Sequence, residues 1–288
     1  MIVFFRDLFI FDHVQYAVIG AVLASLSCGI MGSYLSVRRI TSSAGAISHF
    51  LLGGLAAAQF LKKVYLVPIP VEAGALVAAV IAAVIIWLVT RWAKQREDTV
   101  LSVLWAFGMA VGGIFIFFTP GNTGNLQFYL FGDMSLINPS GLAAMGILAA
   151  VLILFFIFFY EKILAIAFDS EYAALRGIRV SMYSFLLLLF AALTVVVVVQ
   201  LVGIVMAIAL LSLPQAIAAT FTRRLWQLIA GSIILSMIFT VGGFAASYEP
   251  GTPPGAMIIL SAGFFYLVSL ALKSFRKNRR TAQVSGAR

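Results

Sequence analysis

Nine apolar runs dominate this chain, at 14–37, 42–61, 69–90, 99–119, 139–159, 181–200, 203–221, 225–246 and 255–273. A helix of about 20 residues, rising about 1.5 Å per residue, is long enough to cross a hydrocarbon slab about 30 Å thick. Runs of this length predict an all-α, polytopic membrane protein with eight or nine transmembrane helices. The count stays open because the second run is short and 181–221 also reads as one broken unit. Composition excludes the alternative of a soluble domain. Of 288 residues, 63% are hydrophobic and 10% charged, with a mean hydropathy of +1.10. Soluble domains carry about 25% charged residues and need them to cover their surface.

The net charge of +9 invites a nucleic-acid reading, which the positions of the charges exclude. Sixteen of the 19 Lys and Arg fall on one side of the predicted spans: Arg38, Arg39, Arg91, Lys94, Arg96, Lys162, Arg176, Arg179, Arg223, Arg224 and six from Lys273 onward. Only Arg6, Lys62 and Lys63 fall on the other. Cytoplasmic loops collect Lys and Arg, so the expected topology puts the N-terminus outside and the C-terminus in the cytoplasm. Residues 1–13 carry Arg6, Asp7, Asp12 and His13, which is not the order of a cleavable signal peptide. They read as a short amphipathic segment at the membrane interface. The expected division is therefore 1–13 interfacial, 14–273 transmembrane and 274–288 a basic cytoplasmic tail. The lone Cys28 excludes an internal disulfide and any multi-cysteine metal cluster, and reads as a packing residue.

His49 is the ionisable side chain that this reading places deepest in a span. Counted from Ile40 it lies about 13 Å into the slab. Polar groups at that depth face a protein interior or a water path. A neutral imidazole is also the commonest transition-metal ligand. Two roles stand open: metal contact, or a gating or packing histidine bonded to a neighbouring carbonyl. The pairs Gly53-Gly54, Gly112-Gly113 and Gly242-Gly243, with Gly203, allow close helix approach. Pro214-Gln215 interrupts the seventh run, either as a cavity-lining break of the kind transporters use or as a simple kink. Outside, Asp133 and Glu249 read as solvated charges at the mouth, with a possible role in attracting a cation.

The longest cytoplasmic connection is Tyr160–Val180. Asp169 is placed to cap a two-turn helix carrying Tyr172, Leu175 and Arg176, and Gly177 to end it. Such a helix either docks into a groove on another protein or lies flat on the membrane. The chain has no Gly-x-x-x-x-Gly-Lys-Ser/Thr phosphate loop, no His-Glu-x-x-His and no Cys-x-x-Cys. Its spans also lack the carboxylates that ion-coupled carriers use. A pump built on it must draw energy from a partner.

Several segments in order carry a resemblance. They are Leu35–Arg39 leading to Ala46–His49, then Arg96–Thr99, Leu130–Asp133, and Phe168–Ala173 with Gly177. Val202-Gly203 with Ala209–Pro214, and Tyr248 with Pro254–Ala256, complete the set. Together they resemble the membrane permeases of zinc/manganese-type metal-ion ABC importers over about residues 14–273. The resemblance implies a dimer of two permease copies in the cytoplasmic (inner) membrane, with two cytoplasmic ATPase subunits and an extracytoplasmic metal-binding protein. It implies a transported divalent metal and no tightly bound cofactor. It makes residues 168–178 a coupling helix, through Asp169, Glu171, Ala173 and Gly177, and Ser48, Pro214 and Gln215 path or hinge residues. The family pairs His49 with an aspartate one turn earlier, and here that position is Gly45. The missing carboxylate implies a weaker site, or ligands from Ser42, Ser48, water or a second permease, or a different substrate. A secondary transporter or channel is the alternative.

Overall fold

The computed structural model describes residues 2–93, 97–121, 132, 137 and 139–285. Within them every regular element is helical. A short α1 (Ile2–Leu8) precedes α2 (Asp12–Val37), α3 (Ser42–Val64), α4 (Val71–Leu88) and α5 (Glu97–Phe118). Then come α6 (Pro139–Phe168), α7 (Ser170–Leu175), α8 (Val180–Val202), α9 (Ile204–Leu210) and α10 (Leu213–Phe221). The last two are α11 (Leu225–Tyr248) and α12 (Pro254–Ser285). Nine stretches among the described residues are long and apolar enough to span a bilayer, with α9 and α10 counted as one. The upper of the two expected counts therefore holds.

The most enclosed span is α2. It packs between α11 and α6, and its face of Ala17, Ala21, Ala24, Cys28, Met31 and Leu35 is almost fully buried. Small residues let neighbouring backbones come close, and hydroxyls then stitch them together. Ser25 sits 2.9 Å from the Thr240 hydroxyl, and Ser33 donates to the Ser232 hydroxyl at 3.1 Å. On the other flank α3 packs against α4 and α5. Gly54 and Gly74 face each other so closely that a Cβ on either would lie 2.3 Å from the other's carbonyl oxygen. Gly113 and Gly242, by contrast, meet nothing within 4 Å. Each of those two glycine pairs thus has one member at a helix contact and one outside it.

The region from 180 to 221 is broken twice. Gly203 (φ +79°) separates α8 from α9, in a backbone conformation that strains any residue with a Cβ. A turn at Leu211-Ser212 then separates α9 from α10. Pro214 occupies the second position of α10, where its missing N–H costs no helical bond. The buried Gln215 closes the break: its amide donates to the Cys28 carbonyl at 2.8 Å and to the Leu210 carbonyl at 3.0 Å. Gly32 makes room for it, since a Cβ there would lie 2.2 Å from the Gln215 Nε2.

The described basic connections share one end of the bundle. Arg38, after α2, donates to the Ile166 carbonyl of α6 at 3.2 Å. Arg91, in a π-helical turn after α4 (Val89–Ala93), donates to the Ser181 hydroxyl at the start of α8. Ala218, Leu225 and Leu228, flanking Arg223 and Arg224, pack against Val37, Tyr160 and Leu164. At the opposite end α1 docks on α11. Phe4 is buried edge-on against Phe244 and Tyr248, and the Tyr248 hydroxyl donates to Asp7 at 3.0 Å. Phe5, Phe9 and Ile10 remain exposed.

Candidate functional site

The surroundings of His49 are set by the seam between α3 and α5. Gly108 of α5 lies against the α3 backbone, and a Cβ on it would fall 2.3 Å from the Phe50 Cα and 2.8 Å from the His49 carbonyl oxygen. This close approach carries two α5 side chains onto the imidazole. Trp105 stacks on it, with ring centroids 4.2 Å apart and planes inclined 17°. The Met109 sulfur lies 3.2 Å from His49 Nδ1. A thioether accepts but never donates, so this contact is a hydrogen bond only when Nδ1 carries the proton. In that tautomer the Nε2 lone pair is left for a ligand.

Gly45, one turn before His49, is covered by the same indole. An ideal Cβ at Gly45 would stand 3.2 Å from a Trp105 ring carbon. The place of a carboxylate is thus not an empty notch but is roofed by an aromatic ring. What results is one imidazole, one thioether and an indole face. No group of three or more His, Cys, Asp or Glu that could hold a metal occurs among the described residues. The site also opens outward: His49 is half-buried, while Trp105 and Met109 are 43% and 40% exposed on the flank of α5. A single copy of the chain does not enclose it.

The other expected path residues lie apart from this constellation. Ser48 is fully buried, with its hydroxyl donating to the Ala44 carbonyl at 2.7 Å. Pro214 and Gln215 belong to the α9–α10 break and tie it to α2, and none of the three bonds to His49. Glu249 accepts from the Val3 backbone N–H at 3.4 Å. Asp133, the residues Tyr129, Leu130 and Phe131 before it, and Lys94 and Arg96 lie outside the described residues.

At the basic end, α7 takes the form its sequence predicts. The Asp169 side chain accepts from the backbone N–H groups of Glu171 and Tyr172 at 3.1 and 2.9 Å. Gly177 (φ +77°) ends the helix, its N–H bonded to the Ala174 carbonyl and the N–H of Ile178 to that of Ala173. This double reverse bond is a Schellman motif, and the positive φ suits glycine. Ala173 is fully buried against Ile166 and Tyr183, which pins α7 to the ends of α6 and α8. The opposite face points away from the bundle: Leu175 is 88% exposed, and Phe168 and Tyr172 are also exposed. Arg176 lies over the Tyr172 ring at 5.0 Å and holds it in place. Of the four expected coupling residues, Asp169, Ala173 and Gly177 shape and anchor the helix, and Glu171 stands on its exposed side.

Sequence reading passed over Gly108, Trp105 and Met109. Their one signal is spacing: Trp105 and Met109 are one turn apart on α5, matching Gly45 and His49 on α3, with Gly108 beside them at the contact.

Comparisons with known proteins agree with this architecture. A probable metal transport system membrane protein of Chlamydia pneumoniae is 33% identical over 88% of this chain and 87% of its own length. The manganese transport system membrane protein MntC of Halalkalibacterium halodurans is 29% identical over 92% of this chain and 89% of its own. Among solved structures, PsaBC from Streptococcus pneumoniae in complex with Fab superposes with a TM-score of 0.81 and 27% identity, covering 93% of this chain and 95% of that one. The ABC 3 transport family model matches residues 10–273, and this multi-pass membrane protein belongs to that family of permeases.

Proposed function

We propose that this chain is the membrane subunit of an ATP-driven importer carrying a divalent transition metal, manganese or zinc, into the cell. The observation that carries the reading is α7. A short helix capped at both ends, pinned through one buried alanine and presenting Tyr172 and Leu175 outward, is built to be gripped. The grip is that of a separate cytoplasmic ATPase, since the chain has no phosphate loop of its own. The basic end is then cytoplasmic, α1 lies at the outer interface, and an extracytoplasmic binding protein delivers the metal at the far end.

In this mechanism, nucleotide binding closes two ATPase subunits and displaces α7, which moves the ends of α6 and α8. Two permease copies alternate access to a path between them. The metal passes His49 as a transient ligand through Nε2, with the Met109 sulfur holding the Nδ1 proton on the other side of the ring and the second copy completing the shell. A site with one imidazole and no carboxylate holds the ion loosely, which suits a cargo that must leave.

The test is metal accumulation, read by elemental analysis, in cells expressing the chain with its ATPase and binding-protein partners. His49→Ala should lower uptake of the cognate metal at least tenfold at normal expression. Unchanged uptake would remove His49 from the path. Uptake that persists in vesicles holding this chain alone, without ATP, would instead make it a secondary transporter or channel.

A further inference from the structure

At the basic end, a cavity of about 450 Å³ opens between the ends of α2 and α4 and the starts of α3, α5 and α8. Its polar lining includes Arg38, Arg91, Ser43, Thr90, Ser181 and Ser184. No carboxylate lines it among the described residues. Two arginines facing one cavity repel each other unless an anion lies between them. Their own hydrogen bonds leave most of their capacity unused, because a guanidinium carries five N–H donors. Arg38 donates to the Ile166 carbonyl, and its Nε is buried with no partner. Arg91 donates to Ser181 and rests over Trp87 at 5.5 Å, whose own N–H is fixed on the Ser181 carbonyl. The second guanidinium is thereby held at the cavity.

The hydroxyls sort by what they have left to give. Ser43 and Thr90 donate to the carbonyls of Ile40 and Ile86. Ser181 accepts from Arg91 and keeps its proton for another acceptor. The remaining wall is mostly apolar, with Ile40, Ile86, Leu101, Val180 and Leu188 beside Tyr34 and Trp87. Forked guanidinium donors matched to hydroxyl donors recognise tetrahedral oxyanions, and basic pockets between spans take phosphate headgroups.

We propose that this cavity binds a phosphate group, with Arg38 and Arg91 as its two anchors and the Ser181 hydroxyl as a third donor. The apolar wall favours a phosphate carried on an apolar body, as in an anionic glycerophospholipid of the adjoining leaflet. Free inorganic phosphate shares the same chemistry. Neither role is needed for the passage of metal, so the site stands apart from the transport reading.

The full-length chain, purified in detergent and analysed by native mass spectrometry, separates the two sources. Added phosphatidylglycerol should be retained in preference to phosphatidylcholine by at least tenfold. If free phosphate is the ligand, inorganic phosphate at matched ionic strength should raise the melting temperature while the two lipids bind alike. The exposed Arg91→Gln should weaken either effect about fivefold, the share of one basic contact. Adding Arg38→Gln should abolish it, and Arg223→Gln, outside the cavity, should leave it unchanged. Arg91→Gln carries the test even if the Arg38 variant does not fold. Equal retention of both lipids together with no phosphate response would overturn the proposal.

Discussion

The helix α7 and the seam of α3 with α5 are both candidate working parts, and they are built in opposite ways. Everything that shapes α7 lies within ten residues of it: a carboxylate cap, a buried alanine and a glycine with positive φ. The His49 site owes its geometry to residues 56 and 60 positions away, Trp105 and Met109, brought in by a glycine with no room for a Cβ. A locally built part can be altered at modest cost. A part built by close approach fails with the contact that makes it.

Breaking the contact should have the largest effect. Gly108→Ala forces a methyl group to within 2.3 Å of the Phe50 backbone, which cannot yield as a side chain would. We expect a loss of about 3 kcal/mol in the stability of the purified protein, read by thermal or denaturant unfolding. Gly113→Ala, on the same helix with nothing within 4 Å, is the control and should change stability by less than about 0.5 kcal/mol. Equal behaviour of the two would mean that the seam does not rest on Gly108.

The next effect in size sharpens the role of the indole roof. Gly45→Asp places a carboxylate one turn before His49 but requires Trp105 to give way by a few tenths of an ångström. Such a neighbour should strengthen retention of a divalent metal about tenfold, measured by elemental analysis after desalting, and shift the Trp105 fluorescence. Strengthened retention with slowed uptake would show that the glycine serves release. Smallest is Gly177→Ala at the local part, where a Cβ at φ +77° costs about 1 kcal/mol. We expect ATPase activity to be uncoupled from transport while the unfolding of the bundle shifts only slightly. A change in unfolding as large as that of Gly108→Ala would end the distinction between the two regions.

The same contrast decides what could be read in the sequence. Span positions followed from hydropathy because the bilayer sets them, and the α7 caps followed because capping is a short-range contest among neighbours. Helix ends that outlast their apolar run did not follow. The fifth run ends at 159, yet α6 continues to Phe168. Lys162 makes this possible by lying over the Phe159 and Tyr183 rings and donating to the Tyr183 hydroxyl at 3.1 Å, its stem among apolar groups. α12 likewise runs past Lys273 into the basic tail. His49 was legible as a buried imidazole and Gly45 as a missing carboxylate. Trp105 over both was not, because nothing local to α3 encodes which face of α5 meets it. Gln215 gave the same difficulty: its spacing marks a break, while its bond to Cys28 spans 187 residues.

The joints on either side of α7 are short. One residue, Asp169, separates it from α6, and four, Arg176 to Arg179, separate it from α8. Neither joint has slack in which a displacement could be lost. The helical path of α6 departs from regular φ/ψ at Phe159, nine residues above its end. That leaves a stiff arm of about 14 Å between the kink and α7. In the proposed mechanism a push on α7 would act on that arm, with Phe159 as the place where α6 can bend.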